Sequence, residues 1–422
     1  MVRKFTKLGT VFAAVAFLAG WTAVACAAET TEVSGAKGAD SLTVRLDELA
    51  GFALQKNPEI IAAKARWLAA KKRIWADTSL PDPMMEIAPG HLENDYMVSQ
   101  GIPFPAKLYE KGKMAQKEAE AAHFRYQVIE RDVLLKLTRA YYDLYFTDAS
   151  IEVIDEVKGL LKSFEASASA RYSNLSGPQR DVAKAQAEVS MSLEKLYRLE
   201  QERESSAAVV NALLDRDPMT PVGKAAMPAR PKLNYSLVEL VNLAVAKRQE
   251  IKAAEAMAAQ SGYAKRLAQL AYIPDLEIGF KYEDMKDAEN IWMVPLRFNV
   301  PVWQNRVIPE IHEALQRERA SRADLLSAKN ETFREVKEAY HRYQAASKTA
   351  DLYDTAVIPQ AKLALSADKA GYESGKTDFL NLLDSERIYF NAKLSSIQYA
   401  TEALKAYADL LRCCGLDFSQ EG

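Results

Sequence analysis

The chain has 422 residues, and its 55 basic and 57 acidic side chains leave a formal charge of −2, so it lacks the basic excess that a nucleic-acid partner requires. Three cysteines cannot build a disulfide framework, and the adjacent Cys413 and Cys414 would form only a strained bridge. Nearly half of the residues are hydrophobic, enough for extensive packing, yet no glycine-rich phosphate loop or nucleophile elbow is present to suggest an enzyme.

The N-terminus reads as a secretory signal over residues 1–27. Arg3, Lys4 and Lys7 precede the apolar run 11–20, small residues follow at Ala23, Ala25, Ala27 and Ala28, and the first acid is Glu29. Ala23-Val24-Ala25-Cys26 is also a loose lipobox, which would leave Cys26 as a lipidated N-terminus, while Ala25-Cys26-Ala27 suits the ordinary peptidase. Beyond residue 28 no stretch approaches the roughly 18 uncharged apolar residues of a membrane-spanning helix.

The mature chain then repeats itself. Residues 46–87 fall on 237–278 without a gap, with 13 identities in 42 positions that include Pro83, Glu86 and Ile87 on Pro274, Glu277 and Ile278. Ile102-Pro103-Phe104 corresponds to Val300-Pro301-Val302, and Ala140-Tyr141 to Ala339-Tyr340. Two tandem copies are expected, at 41–225 with a β-hairpin near 80–103, and at 232–418 with a β-hairpin near 272–303.

Proline placement outlines the helices. No proline lies between Pro105 and Pro178 or between Pro178 and Pro218, and after Pro309 only Pro359 interrupts the second copy. Interior proline costs a helix about 3 kcal/mol, so these gaps permit very long helices. The segment 107–171 would reach roughly 100 Å at about 1.5 Å per residue. Such helices must pack together as an extended coiled-coil-like bundle.

Between the helices the period changes to two. Leu276, Ile278, Phe280 and Tyr282 alternate with Asp275, Glu277, Gly279, Lys281 and Glu283; in the run 291–300, Val294, Leu296, Phe298 and Val300 alternate with Pro295, Arg297 and Asn299. The first copy is weaker, with Met85, Ile87, Tyr96, Val98 and Ile102 apolar and Gln100 breaking the pattern; loops are expected near 89–95 and 284–290. A small soluble sheet is one reading, but a charged second face and the lack of further strands favour a transmembrane barrel, apolar outward and polar inward. Four strands cannot close a barrel, and open edges are forbidden in lipid, so several chains would have to share one.

The stretch "YESGKTDFLNLLD" at 372–384 interrupts an otherwise helical run. Together with Phe390-Asn391-Ala392-Lys393, the tandem repeat and the hairpins, it resembles the TolC-like outer membrane efflux family, and the likeness spans nearly all of the mature chain. The first copy offers Arg171-Tyr172, the run Gly177-Pro178-Gln179-Arg180-Asp181-Val182 and Gln186 as a counterpart, offset by an inserted pair of residues.

That resemblance implies a mainly α fold with a membrane β-barrel contribution, in which a homotrimer pools a twelve-stranded outer-membrane barrel and a helical tunnel in the periplasm of a Gram-negative bacterium. It implies a passive exit duct without catalysis or cofactor, docked through a periplasmic adaptor to an inner-membrane pump. The helices would reverse at Gly177 and Gly375, with Tyr172, Asp181, Tyr372 and Lys376 at the adaptor-binding tip. Asp384 would ring the pore, and Asn381 stands where some relatives carry a second aspartate. The stretch "QGIPFPAKLYEKG" at 100–112 resembles the heavy-metal branch of that family. The alternatives are a type I protein-secretion duct and a periplasmic structural or adaptor protein. His91, His123, His312 and His341 lack ligand-type spacing, so no metal site is expected, and Met84, Met85 and Met97 read as barrel-wall residues.

Overall fold

The computed structural model describes residues 43–90, 93–226, 228–286 and 289–416; Cys26, the predicted signal sequence and His91 lie outside them. α1 (Leu46–Lys56) and α2 (Pro58–Thr78) meet at Asn57, whose side chain caps α2 by accepting from the Glu59 and Ile60 amides, with Pro58 in the first turn. β1 (Met84–Pro89) and β2 (Glu93–Ile102) form the first hairpin. α3 (Pro105–Ser173) is a single 69-residue helix, followed by α4 (Gln179–Leu213).

α5 (Leu237–Lys247) opens on a capping box between Ser236 and Glu239, and α6 (Gln249–Gln269) follows; both lie 191 residues after α1 and α2. β3 (Leu276–Met285) pairs with β4 (Ile291–Met293) and β5 (Leu296–Phe298). The expected single strand at 291–300 is thus divided. Pro295 has no amide to give the ladder, and its carbonyl instead accepts from Gly279 N at 2.9 Å. α7 (Gln304–Leu352), a π turn (Tyr353–Val357), α8 (Ile358–Glu373) and α9 (Phe379–Cys414) complete the chain.

The long helices bury seams spaced by three and four residues, as coiled-coil packing requires. Val133, Leu137, Tyr141 and Leu144 form one seam on α3, and Val157, Leu161, Phe164 and Ala168 form another nearer its end. α3 packs against α2 and α6 on the side of the strands, and against α4 and α9 on the far side, while α7 packs against both α6 and α9. α2 therefore stands end to end on α4, and α6 on α9.

Both junctions are closely fitted. Asn57 Nδ2 donates to the Leu213 carbonyl at 2.9 Å. At the other junction Gly415 takes φ +68°, and a Cβ there would lie 3.0 Å from the Lys247 carbonyl carbon. Buried Arg248 bridges to Glu250 and to Glu335 of α7, and Arg412 of α9 reaches Glu250 and Asp132. Both Cys413 and Cys414 are free thiols buried in the last turn of α9.

Among the described residues four adopt left-handed backbone, and they fall into two pairs 200 apart: Leu175 with Gly375, and Asp215 with Gly415. The second member of each pair is glycine, which adopts this region freely; the first carries a Cβ that costs roughly 1 kcal/mol there. We predict that Leu175→Gly stabilises the folded chain by about 0.5–1 kcal/mol, while Gly375→Leu destabilises it by a similar amount. Unfolding midpoints in detergent, measured for both variants against the parent, will read the sign.

Candidate functional site

Among the described residues, strand order β1-β2-β3-β4, with β5 continuing β4's lane along β3, gives four lanes with two unpaired edges. The register sets Ile87, Tyr96, Tyr282 and Trp292 in one row, and Met85, Val98 and Phe280 in the next. These side chains are exposed, with Phe280 at 52% and Trp292 at 67%. Ile278, Tyr282, Leu296 and Phe298 share this exposure, whereas Leu276 is half-buried.

The other face is the polar one, and it carries ion pairs, of which those at Lys281 are sheltered. Lys281 Nζ lies 2.8 Å from Asp95 and 2.6 Å from Glu283, and Arg297 lies 3.1 Å from Glu277. Met97 and Gly279 pack closely on this face; a Cβ on Gly279 would meet the Pro295 ring at 3.0 Å. A sheet that exposes a continuous aromatic and aliphatic face and gathers its ion pairs on the other is inverted relative to a water-soluble one, and lipid is the solvent that this polarity suits.

A ten-residue strand such as β3 spans about 34 Å, or roughly 24 Å along the membrane normal when tilted by about 45°, which matches an outer-membrane apolar band. Tyr96, Tyr282 and Trp292 mark one end of that band, and Phe298 and Trp303 the other. Asp275 anchors the strand-to-helix passage by accepting from Phe104 N at 2.8 Å and pairing with Lys107 Nζ at 2.9 Å.

At the opposite end of the bundle, two five-residue turns reverse the chain, 174–178 and 374–378. They are equal in length, so the inserted pair expected in the first is absent. Each closes in a Schellman pattern, Ser176 N donating to Arg171 O and Lys376 N to Gly371 O. The left-handed residue is Leu175 in one turn and Gly375 in the other; Gly177, expected to make the reversal, does not adopt that conformation.

Gly177 serves by its size instead. A Cβ on it would lie 3.1 Å from Arg171 Cβ, and 200 residues on the sizes are exchanged, with Gly371 set against Thr377. Lys376 is exposed in its turn, and Tyr172 is exposed while Tyr372 is buried against Phe379.

Arg171, which sequence reasoning quoted only as part of a motif, ties the two turns together. Its guanidinium donates to the Tyr372 carbonyl at 2.5 Å and sits 4.7 Å from the Tyr372 ring. Asp181 is buried beside Arg180, which also reaches Asp378, the cap of α9. On α9, Asn381 and Asp384 are exposed one turn apart on one face, and Asp384 has no ion-pair partner among the described residues.

Ion pairs Arg139–Asp409, Lys405–Asp143, Lys393–Glu156 and Arg387–Glu188 stitch α9 to α3 and α4. Among them lies Glu386, 3% exposed and unforeseen from sequence because helical acids are usually solvated. Burial and then the Glu188 carboxylate push its carboxyl up to about 7, against the pull of Lys195 and Arg387.

The comparisons with known proteins agree with this geometry. The model of the outer membrane efflux protein family matches residues 240–416. Outer membrane protein TolC of Vibrio cholerae is 22% identical over 411 residues, covering 87% of this chain and 91% of that protein. The cobalt-zinc-cadmium resistance protein CzcC of Cupriavidus metallidurans is 22% identical over 193 residues, 45% of this chain and 44% of that one. Among solved structures, the open-state MtrE outer membrane channel of Neisseria gonorrhoeae superposes with a TM-score of 0.76 at 19% identity, over 88% of this chain and 89% of that one.

A buried acid with a raised pKa has a definite stability signature. The unfolded carboxyl loses its proton near pH 4.3 and the folded one near 7, so stability falls as pH rises through this window and the full penalty holds above it. We predict that Glu386→Gln leaves stability nearly unchanged at pH 4 and raises it at pH 8 by up to about 3 kcal/mol, read from denaturant midpoints at the two pH values. Residues 240–416 of this chain thus match the outer membrane efflux protein family, and the whole chain shares the fold of outer membrane channels such as MtrE.

Proposed function

We propose that three copies of the chain close one outer-membrane barrel and continue as a helical tunnel into the periplasm, where the duct passively conducts small molecules or metal ions delivered by an inner-membrane pump through a periplasmic adaptor. The observation that carries this reading is the inverted sheet, with exposed Ile278, Phe280, Trp292 and Leu296 opposite the paired charges of Lys281, Asp95 and Glu283. Its two open edges call for further copies, and three sets of four lanes make a twelve-stranded barrel.

Several assignments belong to this reading. Residues 41–225 and 232–418 are its two tandem copies. Tyr172, Gly177, Asp181, Tyr372, Gly375 and Lys376 form the tip that meets the adaptor. Asp384, with Asn381 one turn before it, faces the pore. A periplasmic structural or adaptor protein fits less well, because nothing in water would favour exposing this apolar face. A protein-secretion duct shares the same wall and gate, and the attached pump decides the cargo.

The assembly is tested by extraction. The protein is expected in the outer-membrane fraction, released only by detergent, with the mass of a trimer; a folded, detergent-free monomer would overturn the barrel. Phe280→Arg, set in the apolar band, should cost about 2–4 kcal/mol per chain and deplete assembled trimer on semi-native gels.

The gate is tested by conductance. Three Asp384 carboxylates around a constriction favour cations, as acidic rings do. Asp384→Asn should therefore lower cation-over-anion selectivity in planar bilayers without disturbing the trimer, and Asn381→Asp should raise it. Unchanged selectivity and divalent-cation block in Asp384→Asn would remove Asp384 from the constriction.

A further inference from the structure

The two long arms of the bundle differ by one residue. Ala339-Tyr340 follows Ala140-Tyr141 by 199 positions, but Tyr372 follows Tyr172, and Gly375 follows Leu175, by 200. The extra residue therefore enters the second arm between 340 and 372. The π turn Tyr353–Val357 lies in that interval, while α3 runs unbroken. An i→i+5 turn takes in one more residue than an α turn, so it absorbs an insertion that would otherwise rotate everything beyond it by about 100°. Pro359 follows at once, without an amide to return to the Thr355 carbonyl; 200 residues earlier stands Gly159, inside continuous helix.

The packing beside this turn also differs between the arms. In the first, buried Ile154 packs against Leu196 and Leu199 of α4, with Leu394 of α9 at the edge of the cluster. In the second, Asp354 accepts from Ser396 Oγ of α9 at 2.5 Å and from Arg230 Nη1 at 2.8 Å, and Tyr353 lies against Tyr399 at 5.4 Å. Arg230 belongs to neither arm: it lies in the connection between α4 and α5. The Arg230–Asp354 pair is partly exposed, 39% on each side, so solvent and salt reach it.

We propose that the π turn Tyr353–Val357 is a hinge on which α8, its tip turn and the start of α9 swing, and that Arg230, Asp354 and Ser396 form the latch that holds it shut. The apolar clasp at Ile154 leaves the α3–α4 hairpin rigid. The purpose of the motion, opening the tip, rests on the duct reading; the motion itself does not.

Amide hydrogen exchange on the full chain in detergent tests it. Arg230→Ala and Asp354→Ala should each speed exchange across residues 358–395 by about fivefold, the scale that an exposed ion pair supports, and leave 158–195 unchanged. The exchanged pair, Arg230→Asp with Asp354→Arg, should restore the parent rate, 1 M salt should speed the parent, and Pro359→Ala should slow it. Parent-like exchange at 358–395 in both single variants, or equal acceleration of the two hairpins, overturns the latch; unchanged exchange in Pro359→Ala overturns the hinge. Trimer mass and bilayer conductance of the parent protein judge the duct separately, so a failed duct and a failed hinge are told apart.

Discussion

The two unpaired edges of the sheet govern the rest of the molecule. Hydrocarbon offers no partner for a backbone amide or carbonyl, so a sheet with an apolar outer face must find its closure in other chains. Once the strands join a ring, the helices that continue from them through Asp275 and Lys107 are set around the same axis. The long helices need this arrangement in turn, since α3 has no neighbour long enough to cover its whole length and instead uses α2 and α6, then α4 and α9. Barrel and bundle are thus one constraint seen at two ends.

Periodic features of this architecture could be read from sequence, because each residue type reports locally. Alternation in Leu276 to Tyr282 reports a two-sided strand, and the proline-free interval after Pro105 reports a helix, whatever the surroundings. Pairwise features could not. Gly177 and Gly375 look alike as letters, yet only Gly375 needs its left-handed backbone, and Leu175 takes the corresponding place at a cost. Glu386 has the same composition signature as any solvated helical acid, and only the approach of α4 makes it a buried one.

The two halves distribute strain unequally. Leu175 and Asp215 hold helix ends in a conformation that Gly375 and Gly415 adopt without penalty, and the first half packs apolar side chains at Ile154. The second half is relaxed at its turns but carries the π turn, Pro359 and polar contacts at Asp354. The two arms therefore differ through a handful of side chains and one added residue.

The end-to-end seating of α2 on α4 and of α6 on α9 has a consequence for reach. Each junction is a local fit, held by Asn57 on the Leu213 carbonyl and by Gly415 under Lys247, and neither depends on how long the helices beneath it are. Seven residues added to each descending and each returning helix would keep every seam in phase and move the tip by about 10 Å, with the strands and the junctions untouched. The lower bundle is in this sense a ruler, graduated in heptads, against which the width of a compartment can be matched.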